Sequence, residues 1–355
     1  MSAQEWDVLV VGLGPGGGAA AAAAAEAGMR VIAIERKRVV GEPVQCGEFI
    51  PMPLGRFAGG AGVLKQQIAG MKSILPSGAV TDSPHRGFMI DRAAFDQALA
   101  ARAAGAGAEL RLGWAIESLD PERRIAKVRE GRNRRQVRYR ALVAADGPHS
   151  RVARLLGLPI QKMVHTRQYL VPLLRPMDNT LIWLSPAYPG GYAWLFPRGE
   201  TANLGVGIDF RFCRDLHHPL DELHGQLVSE GVLGSEIRRR TGGAIPVGGM
   251  REHLAIGEIL FVGDAAGLTH PITGAGISAA VQSGEEAGRA AARWLAGDTT
   301  ALAGYDAAVR ELFGPTIEHA LRTCDAVAWI WNTPAASLDQ NQRRRWFAFE
   351  EYFAF

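Results

Sequence analysis

Residues 6–18 read WDVLVVGLGPGGG, and this stretch decides the fold. Trp6 to Val11 is β-branched and apolar and is stopped by glycine, as expected of a short buried parallel strand. Gly12 to Gly18 predicts a turn. Ala19 to Ala27 predicts a helix, alanine being the best helix former, and Gly28 ends it. Arg30 to Ile34 predicts a second buried strand, with Glu35 at its end, which completes a βαβ unit. Gly12, Gly14 and Gly17 within it form GxGxxG. Gly12 permits the tight turn, Gly14 lets the backbone approach a pyrophosphate, and Gly17 lets helix and strand pack closely. The helix start adds free N–H groups and a positive dipole end for phosphates. A carboxylate at Glu35 suits the ribose hydroxyls of an adenosine and repels a 2′-phosphate, which argues against NADP at this site. The motif does not separate FAD from NAD.

Outward from it, the 355 residues suit two closely packed lobes and a tail. A net charge of +3 is too small to point to nucleic acid. Cys46, Cys213 and Cys324 lie far apart without a CxxC pair, which argues against a disulfide framework, a zinc site or a four-cysteine cluster; no metal is expected. The first residues lack the layout of a signal peptide, and no long apolar run predicts a membrane span. The expected location is the cytoplasm, with contact to the inner face of the membrane as the open alternative. Asp91 to Ala104 predicts a helix, Arg123 to Arg140 a hairpin around Gly131, and Ala141 to Ala145 a buried strand. From Gln161 to Phe210 aromatic and β-branched residues with frequent Pro and Gly predict an antiparallel sheet. Ile259 to Val262 predicts a buried strand and Gly276 to Leu295 a long helix. From Ala301 a helical pattern runs to Trp331, followed by an aromatic tail.

Two later motifs choose FAD. Ala145-Asp146-Gly147-Pro-His-Ser150 ends a strand, and Val262-Gly263-Asp264-Ala-Ala-Gly267 runs on to Pro271-Ile-Thr-Gly274-Ala-Gly276. With the GxGxxG they stand in the order found in the FAD-dependent class that includes para-hydroxybenzoate hydroxylase, geranylgeranyl reductases and flavin halogenases, which this chain resembles from about residue 5 to residue 300. The resemblance implies an α/β fold: a Rossmann-type FAD-binding domain, a second antiparallel β-sheet substrate domain and a helical C-terminal segment. The implied division is 1–75, 90–160 and 255–300 for the FAD domain, 76–89 and 161–254 for the substrate domain, and 301–355 for the segment. It implies that Asp146 and Gly147 pack beside FAD, that Gly263 and Asp264 present a carboxylate to a ribityl hydroxyl, and that Pro271, Gly274 and Gly276 bring backbone amides to the flavin. Arg36 and Arg92 are further cofactor contacts on the same ground. Ala153 stands where the class carries an arginine, a gap that Arg151 or Arg154 would have to fill.

Pro189-Gly-Gly-Tyr192-Ala-Trp194-Leu-Phe196-Pro197 matches the PxxYxWxFP pattern of the geranylgeranyl reductase family, and Val44-Gln45-Cys46-Gly47-Glu48 resembles that family's cysteine loop. Tyr192, Trp194 and Phe196 alternate along a strand and so share one face, where they would make an apolar wall for a substrate or fill a sheet core. The implied activity is an FAD-dependent oxidoreductase that reduces carbon–carbon double bonds of an isoprenoid or similar apolar substrate, by hydride from flavin N5. NAD(P)H or another reductant would visit transiently, since no second dinucleotide motif exists. An isolated alkene is a poor hydride acceptor, so an acid must protonate the other carbon. Cys46, Glu48 and Tyr192 are the candidates, with Trp194 at the site. Two rivals stay open: a monooxygenase hydroxylating an aromatic substrate, free or protein-borne, and an electron-relay flavoprotein. The arginine-rich hairpin at 123–140 reads as a solvated face or as contact with an anionic membrane or protein partner. The tail from Arg343 reads three ways: dipping into a membrane interface, covering the substrate tunnel, or docking on a partner.

Overall fold

The computed structural model describes residues 5–354. The strand Glu5–Val11 lies centrally in an eight-stranded sheet, parallel to Asn133–Ala144 on one side and to Val31–Glu35 on the other. Glu109–Leu112 extends the sheet past Val31–Glu35, and Ile259–Phe261 extends it past Asn133–Ala144, both parallel. The register pairs Val11 with Ala144 and Ala144 with Phe261. Three strands therefore end level, and the residues that follow them — Gly12, Ala145-Asp146 and Gly263-Asp264 — emerge side by side at the carboxyl edge. That is where open α/β sheets bind ligands.

The helix Pro15–Glu26 starts earlier than its alanines suggested, because Pro15 has the dihedral preset for a first helical residue. It is buried from Pro15 to Ala25, sandwiched between the sheet, Arg92–Gly105 and Ile277–Leu295. Only very small side chains fit such a sandwich. A Cβ at Gly284 would stand 2.1 Å from the carbonyl oxygen of Gly16, and one at Gly288 would stand 2.5 Å from that of Ala20. The two helices thus meet backbone to backbone, at the density usual for protein interiors.

A second sheet of seven strands runs Arg239–Pro246, Met163–Pro172, Thr201–Ile208, Tyr192–Arg198, Asn179–Trp183, Gly70–Ile74, Val80–Ser83. It is antiparallel except where Asn179–Trp183 pairs parallel with Gly70–Ile74. Gly70–Ile74 is hydrogen-bonded into this sheet through Asn179–Trp183. Gly87–Ile90, which straddles the expected boundary between 89 and 90, pairs with Phe49–Pro51 and Leu64–Ile68 in a separate three-stranded sheet. Both segments are too short for periodicity to assign a sheet. After the helix Ala301–Ala326 the chain forms short turns and the helices Asp339–Arg344 and Glu350–Phe353, so the helical expectation through Trp331 ends about a turn late. Met1 to Gln4 and Phe355 lie outside the described residues.

Candidate functional site

One continuous cavity of about 1040 Å³ runs from the carboxyl edge of the first sheet to the face of the second. Single small-molecule sites span roughly 300–1,000 Å³, so this one can take a dinucleotide together with part of another molecule.

At the first end each glycine of the motif shows its own reason. Gly12 has φ +99°, and a Cβ there would strike the carbonyl oxygen of Ala145 at 2.4 Å. A Cβ at Gly17 would sit 1.8 Å from the oxygen of Gly12. At Gly14 the same test finds nothing within 4 Å, although the residue lines the cavity. A side chain is absent here without any protein atom demanding it, which is the shape of a cradle for a ligand. The helix that follows has no side-chain N-cap and no acidic residue in its first turn, so its amides are free for phosphates. Glu35 accepts from the amides of Leu13 and Lys37, both at 2.9 Å, which fixes its carboxylate at the cavity wall beside Arg36. Asp264 lies opposite. It does not cap the helix Gly263–Ala266; one oxygen accepts from Thr269 Oγ1 at 2.7 Å, and burial holds its pKa up. A Cβ at Gly276 would meet Thr269 Oγ1 at 2.9 Å, so glycine lets the turn close over this carboxylate. These donors and this cradle fit FAD.

Asp146 also lines the cavity, but its oxygens serve the fold: they accept from Ser150 Oγ at 2.6 Å and from the amides of Arg151 and Val152 at 2.6 and 3.0 Å. Gly147, at φ +81°, turns the chain there. Arg151 and Arg154 both reach the wall, where Ala153 is buried. Gly274 and Gly276 line the cavity as well. Four expected cofactor contacts do not. Gly17 and Gly263 are packed under their turns, Pro271 is buried, and Arg92 is drawn away by a bidentate pair with Asp96 at 2.8 and 3.2 Å.

The cysteine loop crosses between the two ends. Glu48 is fully buried at φ +69°, and both its oxygens are committed: one accepts from the Arg92 amide at 3.0 Å, the other from Asn203 Nδ2 at 2.9 Å, with Arg198 Nε at 3.5 Å. The carboxylate fastens the loop and is no free acid. Tyr192 donates its hydroxyl to the carbonyl of Thr273, and burial pushes its pKa up, so its proton is held too. Cys46 Sγ accepts from the Glu48 amide at 3.2 Å, and burial keeps the thiol protonated by raising its pKa. Of the three expected acids, Cys46 alone retains an uncommitted proton on the cavity wall.

Tyr192, Trp194 and Phe196 share one face, with ring centroids 5.8 and 6.2 Å apart in succession, and all three line the cavity. The Trp194 indole N–H donates to Gln168 Oε1 at 3.0 Å, and Gln168 Nε2 donates to the Cys46 carbonyl at 3.0 Å. The aromatic row is thereby tied to the cysteine loop. Gly205 on the neighbouring strand makes room for it, since a Cβ there would stand 2.2 Å from the indole.

The far wall comes from the tail, which covers the chamber. Trp346 is 1% exposed, donates to Ser73 Oγ at 3.1 Å and meets Tyr192 at 4.9 Å between centroids. Arg345, also buried, donates to the Gly191 carbonyl. Phe347 and Tyr352 line the cavity beside His85 and His270. Nothing in the sequence marks His270, because a lone histidine carries no motif. Its Nδ1 accepts from the amides of Ile272 and Thr273 at 3.3 and 3.2 Å, and burial lowers its pKa to about 4. Gln168 and His85 have no local signal either, whereas Trp346 belongs to the aromatic tail that the sequence marks. Most arginines of the hairpin pair with carboxylates, largely from neighbouring segments: Arg129 and Arg134 share Glu117, Arg135 meets Glu130, and Arg124 meets Glu258.

Residues 63–222 match the family model described as FAD dependent oxidoreductase. The chain is 34% identical to digeranylgeranylglycerophospholipid reductase of Methanocella arvoryzae, over 88% of this chain and 85% of that one. It is 38% identical to digeranylgeranylglycerophospholipid reductase 1 of Methanopyrus kandleri, over 88% of each. In structure it is similar to a geranylgeranyl bacteriochlorophyll reductase-like protein of Thermoplasma acidophilum, with TM-score 0.83 and 26% identity over 97% of this chain and 96% of that one. The fold is that of the FAD-dependent oxidoreductases, and flavin is the cofactor.

Proposed function

The chain belongs to the digeranylgeranylglycerophospholipid reductase family, and we propose from that premise that it reduces carbon–carbon double bonds in the isoprenoid chains of a glycerophospholipid. The observation that carries the reading is the single cavity joining a dinucleotide cradle to an aromatic chamber. When bound, FAD supplies the hydride. The protein supplies the rest. Gly12, Gly14 and the first turn of the helix Pro15–Glu26 hold the pyrophosphate, Glu35 the ribose, and Asp264 the ribityl chain. Tyr192, Trp194, Phe196 and Trp346 give an unsaturated hydrocarbon a flat, dry wall and keep water from the reacting carbons. Cys46 holds a proton at Sγ for the second carbon, while Glu48, Gln168 and Asn203 fix its loop.

Such a lipid resides in a bilayer, so the protein would collect it at a membrane surface. No helix among the described residues is long and apolar enough to cross one. Phe353, 69% exposed at the cavity rim, offers an apolar contact for a peripheral encounter. The test is a single turnover without oxygen. FAD-loaded protein reduced by dithionite is mixed with a digeranylgeranyl glycerophospholipid, the return of yellow colour is followed, and the product is weighed by mass spectrometry. Gain of two hydrogens per bond is expected. No reoxidation, or a product carrying an added oxygen atom, would overturn the proposal.

A further inference from the structure

Beside the main cavity lies a second of about 290 Å³, between the loop residues Pro43, Val44 and Gln45 and the edge of the seven-stranded sheet at Arg167, Arg240 and Gly242. The two share a wall, because Gln45, Thr241 and Gly242 line both. Gln45 Nε2 donates to the Gly242 carbonyl at 2.7 Å at this boundary.

The smaller cavity is cationic. Antiparallel pairing sets Arg167 opposite Gly242 and Tyr169 opposite Arg240. The guanidinium groups of Arg167 and Arg240 consequently lie over the ring of Tyr169, 5.8 and 5.6 Å from its centroid. Neither has a carboxylate partner among the described residues, and Arg167 Nε is buried with no acceptor at all. The nearby Asp221 is occupied by the Tyr169 hydroxyl at 2.7 Å. In the surface hairpin, by contrast, Arg129, Arg134 and Arg135 find carboxylates even in open solvent. The buried Arg167 Nε without an acceptor is costly unless an anion completes it, and the exposed Arg240 stands beside it as a second cation free to join in. Their planar donor forks match a phosphate or a carboxylate bidentately, and a glycerophospholipid substrate supplies the phosphate.

We propose that this pocket binds the phosphate of the lipid substrate while its isoprenoid chains occupy the main cavity. The inference rests on the substrate reading above and adds to it the site that selects a phosphorylated lipid over the corresponding alcohol. A nicotinamide dinucleotide could bring a phosphate to the same pocket, and the experiment separates the two sources.

Calorimetric titration of FAD-loaded protein with sn-glycerol 1-phosphate should show binding that weakens with salt, and glycerol alone should show none. Arg240 is exposed, so Arg240→Gln is expected to fold and keep its flavin. It should weaken glycerol phosphate about tenfold, with Arg240→Lys recovering part of the loss. In turnover, Arg240→Gln should lower the ratio of kcat/KM for the phospholipid to kcat/KM for the dephosphorylated alcohol by about tenfold. An unchanged ratio in an enzyme that still reduces the lipid would overturn the proposal. So would a raised KM for the nicotinamide donor with the lipid ratio unmoved, which would assign the pocket to the donor. If the wild type reduced no prenyl lipid at all, the substrate reading itself would fail, a result distinct from either of these.

Discussion

The glycine-rich end and the aromatic end of the cavity are built in different ways. At the first, backbone meets backbone: a Cβ at Gly12 or Gly17 would collide with carbonyl oxygens at the neighbouring strand ends. The requirement falls on single positions of a contiguous stretch, and glycine alone satisfies it. At the second, side chains from Cys46, His85, Gln168, Trp194, His270 and Trp346 meet across distant strands, loops and the tail. Any apolar residue of about the right volume would serve at several of these places. The first end is specified by local geometry and the second by packing between distant segments.

That contrast can be broken by mutation. Gly17→Val should have the largest effect, since nothing at 1.8 Å can give way: little folded, flavin-bearing protein is expected, read as the ratio of flavin to protein absorbance after purification. Trp346→Ala should leave a cavity costing about 3–5 kcal/mol by denaturant unfolding while the purified protein stays yellow. Equal loss of flavin in the two variants would erase the distinction. Cys46→Ala should keep the flavin and slow lipid reduction about a hundredfold in kcat, the lower range for a positioned acid; an unaffected rate would move the proton to another group. The smallest effect is in pH. His270, with its pKa lowered to about 4 by burial, stays neutral where the unfolded chain takes up a proton. Its contribution is complete above about pH 6.5 and is lost as pH falls toward 4, a change on the order of 3 kcal/mol. Unfolding curves at pH 7 and pH 4 should show that slope in the wild type and a flatter one in His270→Gln.

The same contrast explains what can be read from the chain alone. Gly12, Gly14, Glu35 and Asp264 are legible because their positions are fixed by strand ends that the apolar runs mark. Tyr192, Trp194 and Phe196 are legible as one face from alternation, and the structure adds the partners Gln168 and Thr273 that hold them. Glu48 and Arg92 carry the right chemistry but are already spent, on Asn203 and the Arg92 amide and on Asp96, partners up to 155 residues away. No spacing rule reveals such commitments. The sheet that Gly70–Ile74 joins is not legible, because five residues carry no pattern that names their partner strands, and the tail's place as a wall depends on Ser73 and Gly191.

The end around Gly14 is clear of protein atoms, on this account, because a dinucleotide fills it. Gly14 has ordinary dihedrals, φ −71° and ψ −172°, and a Cβ placed on it would meet no atom within 4 Å. Fluorescence titration of apoprotein with FAD, comparing wild type and Gly14→Val, therefore tests the claim directly. One FAD per wild-type chain is expected, with apo unfolding of the variant within about 1 kcal/mol of wild type and at least about a tenfold loss of FAD affinity. Undiminished FAD binding by a folded Gly14→Val protein would contradict it.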